Sequence, residues 1–170
     1  QGDVQGMNPI VKKIFFLASR LFGRGQEAYE KEYDRIAPTY DAAVTRPLLA
    51  AITKRAIAAS HIRHGSVCLD LGCGTGDATV QMLAKTGKNG RVYACDLSRE
   101  MLSKAMMRLS SYRNVSFDHA DMVTFLAAFA DESVDWIGSF WALEYADHAA
   151  VLREVRRALR PGGTFCAALN

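Results

Sequence analysis

The chain has 170 residues, of which 49% are hydrophobic and 23% charged, and its formal net charge is +3. This length suits a single domain with a full hydrophobic core. The small positive charge falls well short of the basic stripe typical of a dedicated nucleic-acid-binding protein, so we do not expect a nucleic-acid partner. No apolar run approaches the ~18 residues that a membrane-spanning helix needs.

The first 25 residues are predicted to form a unit of their own. Residues 1–6 precede Met7 and are interpreted as the remnant of an expression tag. Residues 10–24 predict a basic amphipathic helix, with apolar side chains on one face and lysines and arginines on the other. Such a helix suits a membrane surface or a partner groove, or it docks on its own domain. We predict a cytoplasmic protein, and peripheral contact at the inner membrane face is one use of this helix.

The remainder, residues 26–170, alternates between helical and strand-like patterns. Helices are predicted over 26–37 and 46–60, with a connection at 39–41. Five strands and three further helices follow: strand 66–71, helix 77–85, strand 91–95, helix 99–109, strand 115–118, strand 134–140, helix 149–159, a turn at 161–163 and strand 164–168. This order predicts one α/β domain, a Rossmann-like, doubly wound, mainly parallel sheet of about five strands with an N-terminal helical cap.

A glycine-rich turn follows the first predicted strand. Gly72, Gly74 and Gly76 stand between an apolar run and a predicted helix. Glycine permits a positive φ and lets a ligand approach the main chain, and the helix start offers free N–H groups. Asp77 occupies the place of the third glycine in a G-x-G-x-x-G dinucleotide motif, where its carboxylate would repel a pyrophosphate. The turn therefore predicts a cofactor site for a ligand other than a dinucleotide.

Three acidic residues mark the ends of successive predicted strands. Asp70 ends the first strand, Asp96 ends the second, and Asp121 lies in the loop after the third. Ligands of open parallel sheets bind at these carboxyl ends, and a carboxylate in the place of Asp96 can accept hydrogen bonds from both hydroxyls of a ribose. Asp121 could accept a hydrogen bond from an exocyclic amine such as that of adenine.

Five segments resemble, in order, the motifs of class I S-adenosylmethionine-dependent methyltransferases. The segments are residues 69–76, 96–102, 120–122, 133–137 and 152–163. Within that superfamily, residues 33–41 are similar to the N-terminal segment of the ubiquinone/menaquinone C-methyltransferases and of the bacterial phospholipid N-methyltransferases. The resemblance covers residues 27–170 and implies S-adenosyl-L-methionine as the cofactor.

The resemblance also implies roles for individual residues. The backbone of Gly72, Gly74 and Gly76 would face the methionine portion of the cofactor, and Asp70 would help hold its ammonium group directly or through water. Cys73 is a further cofactor-binding residue of this turn. The remaining cofactor-binding residues implied are Asp96 at the ribose, Leu97 and Met101 beside the adenine, Asp121 and Met122 at its edge, Ser139 and Phe140 at the methionine amino group, and Tyr40 above the cofactor.

The implied reaction is methyl transfer by in-line displacement to a small-molecule or lipid-like acceptor, without a metal. A general base is needed only if the acceptor must lose a proton. Glu144 and Tyr145 follow the fourth predicted strand and rank first for that role, with Tyr40 as a further candidate catalytic residue. Phe140 and Trp141 favour an apolar or aromatic acceptor.

Two other functions stay open. One is a cofactor-binding module that is non-catalytic or depends on a partner, and the other is an RNA or protein methyltransferase. Family members usually continue past the fifth strand with a helix and two more strands, whereas this sequence ends seven residues after Gly163. We therefore expect the last two strands to be missing, and an exposed sheet edge would favour a homodimer.

The four cysteines contain no C-x-x-C pair, which favours small buried hydrophobic side chains over metal ligands or disulfides.

Overall fold

The computed structural model describes residues 25–42 and 46–169. The predicted tag remnant and the predicted basic helix over residues 10–24 lie outside the described residues. In chain order the elements are helix α1 (Gly25–Ile36), a 3-10 helix (Ala37–Ala42), α2 (Arg46–Ala58), β1 (Val67–Leu71), α3 (Asp77–Thr86), β2 (Arg91–Asp96), α4 (Arg99–Arg108), β3 (Val115–His119), α5 (Met122–Ala127), β4 (Val134–Phe140), a second 3-10 helix (Leu143–Tyr145), α6 (His148–Ala158) and β5 (Leu159–Ala168).

All strand pairs in the sheet are parallel. The strand order is β3-β2-β1-β4-β5, so the chain runs outward from β1 in one direction and then crosses to its other side at β4. This reversal between β1 and β4 is the switch point at which ligands bind in open α/β sheets. The predicted Rossmann-like fold with about five strands is confirmed.

Helices cover both faces of the sheet, which explains why the central strands read as continuous apolar runs. On one face, Leu71 and Ile137 pack with Val151 of α6. On the other face, Trp136 packs with Met82 of α3 and Ile57 of α2. All of these side chains are fully or almost fully buried.

Side-chain caps define where the later helices begin. Ser98 accepts a hydrogen bond from the Met101 N–H at the start of α4. Asp147 accepts from the N–H groups of Ala149 and Ala150 at the start of α6. Such caps satisfy donors that the first helical turn leaves without a partner.

Three details differ from the sequence prediction. The connection at 39–41 belongs to a 3-10 helix, and the short helix α5 was not predicted because six residues give too little periodicity to recognise. The predicted turn at 161–163 lies inside β5. Val134 of β4 pairs with Leu159 of β5, whereas Trp136 pairs with Thr164, so β5 has extra residues between these two pairs. The positive φ of Gly162 (79°) accommodates them as an irregularity in the strand.

No helix within the described ranges 25–42 and 46–169 is long and apolar enough to cross a membrane.

Candidate functional site

A cleft lies at the carboxyl ends of the central strands, beneath α1 and the first 3-10 helix. Most of the residues predicted for the site line it. They are Tyr40, Gly72, Gly74, Asp96, Leu97, Met101, Asp121, Met122, Phe140 and Tyr145. Asp70 and Cys73 instead line a smaller pocket, whose wall shares Tyr40, Gly72 and Gly74 with the cleft.

Gly76, Ser139 and Glu144 are not among the residues that line either pocket. A Cβ on Gly76 would point at α4, 3.1 Å from the Leu109 Cδ1 atom. Ser139 is fully buried, and its hydroxyl donates to the Leu71 carbonyl at 3.0 Å. Glu144 lies half-buried on the second 3-10 helix. Their predicted contacts with the cofactor or acceptor stay predictions.

The glycine turn holds its backbone close to the neighbouring strands. Gly72 and Gly74 have positive φ values of 75° and 52°. A Cβ added to Gly72 would stand 2.3 Å from the Cβ of Ala142, in the loop after β4. A side chain at position 72 would therefore be excluded both by backbone conformation and by space.

Asp96 connects this turn to the end of β2. One carboxylate oxygen accepts a hydrogen bond from the Gly74 N–H at 2.7 Å, and the other accepts from the Ser98 N–H at 2.9 Å. Burial raises the pKa of Asp96, while these backbone hydrogen bonds act to lower it. The carboxylate thus has a fixed orientation at the cleft wall and retains lone pairs for further hydroxyl donors.

Asp70 is almost completely buried behind the glycine turn, with 1% of its surface exposed. Its carboxylate accepts a hydrogen bond from the Thr79 hydroxyl at 2.6 Å. Burial raises the pKa of Asp70 to about 7, more than this hydrogen bond lowers it. An ammonium group in the adjoining pocket would favour the ionised carboxylate.

One wall of the cleft is largely apolar. Leu97, Met101 and Met122 line it together with Asp121. Asp121 caps α5 by accepting from the Val123 and Thr124 N–H groups and from the Thr124 hydroxyl. Burial acts to raise the pKa of Asp121, but these hydrogen bonds outweigh it and lower the pKa.

Tyrosines from three elements form the outer wall. Tyr29 and Tyr33 of α1 contact the ring of Tyr145, with ring centroids 4.7 and 5.7 Å apart, and Tyr33 also contacts Tyr40. Burial raises the pKa values of Tyr33, Tyr40 and Tyr145, so these side chains stay neutral phenols at neutral pH. Tyr29 was not predicted for the site. It lies one helical turn before Tyr33 and therefore on the same face of α1, and this spacing could have identified it.

Two arginines bind the residue that begins α3. The guanidinium groups of Arg46 and Arg108 each contact one carboxylate oxygen of Asp77. Arg46 also lies over the ring of Tyr40, 4.5 Å from its centroid, and donates to its hydroxyl at 3.3 Å. The negative charge of Asp77, from which the sequence argument excluded a pyrophosphate, is therefore compensated within the fold.

The residues present fit S-adenosylmethionine. At Gly74, where an added Cβ would meet only a Tyr40 ring atom at 3.9 Å, the bare backbone leaves room for a close ligand, and the fixed carboxylate of Asp96 suits a ribose diol. The apolar surface of Leu97 and Met101 suits the faces of a purine ring. Within the described residues, no group of three or more His, Cys, Asp or Glu side chains is placed to hold a metal ion.

Comparisons with known proteins agree with this geometry. A family model described as a methyltransferase domain matches residues 68–163. Demethylmenaquinone methyltransferase from Staphylococcus aureus is 33% identical over 111 residues, which is 65% of this chain and 45% of that protein. The chain thus spans less than half the length of this curated relative.

Solved structures show the same fold. A methyltransferase chain from Haloferax volcanii, described as putative and solved in complex with the Trm112 methyltransferase activator, superposes with a TM-score of 0.70 at 32% identity over 79% of this chain and 59% of that one. Phosphoethanolamine N-methyltransferase 1 from Haemonchus contortus, solved with phosphoethanolamine and S-adenosylhomocysteine, has a TM-score of 0.68 at 18% identity over 84% of this chain and 32% of that one. At that identity the likeness concerns the fold alone.

Proposed function

Because this chain belongs to the methyltransferase domain family and its cofactor is S-adenosylmethionine, we propose that it transfers a methyl group to a small-molecule or lipid-like acceptor. The observation that carries this proposal is the cleft at the switch point of the sheet, in which the Asp96 carboxylate is fixed by the Gly74 N–H at 2.7 Å beside an apolar wall. When bound, S-adenosylmethionine supplies a methyl group that is already activated by the sulfonium centre.

In this proposal the residues of the chain bind the cofactor, orient it and exclude water from the site. Asp96 accepts hydrogen bonds from ribose hydroxyls, and the ionised Asp70 attracts the ammonium group. Leu97 and Met101 contact the adenine ring. Tyr40 covers the site, since the cation of Arg46 over its ring and the hydrogen bond to its hydroxyl hold it there. Such orientation is the main contribution a protein makes when the reacting group is already activated.

The tyrosines of the outer wall are proposed to position the acceptor as neutral phenols. Burial raises the pKa values of Tyr145 and Tyr40, so both keep their protons at neutral pH and serve as hydrogen-bond donors. If an acceptor must lose a proton, Glu144 is the candidate base, although it is not among the residues that line the cleft.

The aromatic side chains that line the cleft favour an apolar or aromatic acceptor. Phe140, Trp141 and Tyr145 line it. The name of the Staphylococcus relative, demethylmenaquinone methyltransferase, supports a lipid-like ring compound as one such acceptor. The basic amphipathic pattern of residues 10–24 supports contact with a membrane surface, and liposome sedimentation with and without that segment tests it.

Titration calorimetry with S-adenosylmethionine tests the first step. We expect binding by the wild type, and at least a ten-fold loss for Asp96→Ala. Asp118→Ala is the matched control, because Asp118 is an exposed acid on the neighbouring strand and is not among the residues that line the cleft. Equal binding by both variants would contradict the proposed role of Asp96, and no binding by the wild type would contradict the function.

A labelled-methyl assay then separates the acceptor classes. Incubation with a quinone extract, a phospholipid extract and total RNA should transfer label to one of the first two. Label in RNA alone would contradict a small-molecule or lipid-like acceptor.

A partner-dependent activity is the second candidate function. It is favoured by the Haloferax volcanii methyltransferase chain, whose structure was solved together with an activator protein. This alternative predicts cofactor binding with no transfer to any acceptor until an activator is added. Transfer by the isolated chain would contradict it.

A further inference from the structure

Trp141 has a backbone conformation that is rare for a tryptophan. Its φ is +62°, in the left-handed region that glycine adopts readily and bulky residues avoid. It follows β4 directly and lines both the cleft and the smaller pocket behind the glycine turn. Strained residues of this kind persist only where the surrounding structure holds them, and they cluster at ligand sites.

Two hydrogen bonds hold this conformation, one made by the backbone and one by the side chain. The Trp141 N–H donates to the Ala168 carbonyl of β5 at 2.8 Å. The indole Nε1–H donates to the hydroxyl of Thr53 at 3.1 Å. Thr53 lies on α2 and is 3% exposed, so this bond joins the helical cap to the end of the sheet in a place that solvent barely reaches.

The turn at Trp141 determines where the next residue lies. Ala142 is brought so close to the glycine turn that a Cβ on Gly72 would stand 2.3 Å from its own Cβ. The loop after β4 and the loop after β1 therefore touch at a point where both line the cleft. A relaxed φ at position 141 would move this contact.

We infer that Trp141 is a positioning residue, whose hydrogen bond to Thr53 holds the strained turn that places Ala142 against Gly72 and so shapes the cofactor site. This inference rests on the proposed function in one respect, that the cleft binds S-adenosylmethionine. It assigns to α2 a role in the site that its sequence does not indicate.

Calorimetry on substituted full chains tests the hydrogen bond. Thr53→Val and Trp141→Phe each remove it, and each should weaken S-adenosylmethionine binding by about three- to ten-fold, the range expected for one partly buried hydrogen bond. Thr53→Ser keeps the hydroxyl and should bind like the wild type. The double variant Thr53→Val/Trp141→Phe should bind no more weakly than the weaker single variant, because both changes remove the same bond.

Tryptophan fluorescence supplies a readout that loss of stability would not reproduce. The chain contains two tryptophans, so Trp136→Phe leaves Trp141 as the only emitter. Trp136 Nε1 is buried without a hydrogen-bond partner among the described residues, so phenylalanine there removes no hydrogen bond. We expect Trp141 emission to change on saturation with S-adenosylmethionine. In the free, folded protein, adding Thr53→Val should change the emission, because the indole N–H loses its acceptor, while Thr53→Ser should not.

Two results would overturn the inference. One is wild-type affinity in Thr53→Val, and the other is Trp141 emission that neither Thr53→Val nor bound cofactor alters. A wild type that binds no S-adenosylmethionine would contradict the proposed function instead, and the emission of the free Thr53 variants would still decide whether the hydrogen bond holds the Trp141 turn.

Discussion

The Asp70 carboxylate accepts a 2.6 Å hydrogen bond from the Thr79 hydroxyl, and both side chains are almost completely buried. Burial raises the pKa of Asp70 to about 7, well above the value of about 3.9 expected in an unfolded chain. Between these two pKa values the folded state holds the proton that the unfolded state releases. The contribution of Asp70 to the free energy of unfolding therefore falls as pH rises from about 4 to about 7 and is constant above that window.

Asp70→Asn should remove this loss of stability. Asparagine keeps an oxygen that can accept the Thr79 hydrogen bond but does not ionise. We expect thermal unfolding of the variant to match the wild type near pH 4 and to occur roughly 5 °C or more higher at pH 8. Equal pH profiles for the two proteins, measured by circular dichroism, would show that Asp70 does not carry this ionisation.

The same substitution should weaken cofactor binding, because the proposed partner of the ammonium group is then uncharged. Calorimetry at pH 8 should show at least a ten-fold loss for Asp70→Asn. Wild-type affinity should rise from pH 6 to pH 8, as the carboxylate ionises, and this rise should be absent in the variant. A variant that is both more stable and equally competent to bind would contradict the role of Asp70.

Gly72→Ala should be far more disruptive than alanine at another glycine of similar φ. Gly65 has φ +87° but no atom within 4 Å of an added Cβ, whereas Gly72 has φ +75° and would meet Ala142 at 2.3 Å. We expect Gly65→Ala to cost about 1 kcal/mol of unfolding free energy from backbone strain alone. Gly72→Ala should cost about 3 kcal/mol or more, since overpacking adds to that strain. Urea unfolding measures both, and equal costs would contradict the close approach of the two loops.

Asp77→Asn should loosen the helical cap. Asp77 binds Arg46 and Arg108, whose side chains are 12% and 39% exposed, so solvent weakens the second pair more than the first. We expect a loss of about 1–2 kcal/mol and faster proteolysis near residue 46. Glu27→Gln is the control, because the Glu27–Lys31 pair is largely exposed and should change stability by less than about 0.5 kcal/mol.

Local sequence patterns predicted the sheet and the glycine turn because both depend on neighbouring residues. The turn is identified by glycines at alternating positions between a strand and a helix. Asp96 and Asp121 are identified by their positions at or just after strand ends. The ion pairs of Asp77 with Arg46 and Arg108 could not be found in this way. Each arginine lies 31 positions from Asp77, and the packing of α2 and α4 around the glycine turn brings the three side chains together.

Trp141 marks a second limit of sequence reading. Phe140 and Trp141 were recognised as aromatic residues after β4, but a tryptophan gives no local signal for a positive φ, which short-range sterics disfavour. Its conformation depends on Ala168 and Thr53, which belong to distant elements. Residues held against their local preference by long-range contacts are those that pattern analysis misses.

Lys85 should stabilise α2, the helix that carries both Arg46 and Thr53. Its ammonium group donates to the carbonyls of Ile57, Ala58 and Ser60 at 2.9, 3.0 and 2.8 Å, where the helix ends. A cation there satisfies carbonyls that have no partner within the helix and interacts favourably with the helix dipole.

Lys85→Met keeps the length of the side chain and removes its charge, and we expect it to lower the unfolding free energy by about 1–2 kcal/mol. Lys88→Met, at an exposed position in the turn before β2, should change it by less than about 0.5 kcal/mol. Because α2 holds the Trp141 turn through Thr53, Lys85→Met should also weaken S-adenosylmethionine binding at temperatures where the protein remains folded. Urea unfolding and calorimetry of the two variants measure these effects, and equal behaviour would show that the end of α2 contributes nothing to the site.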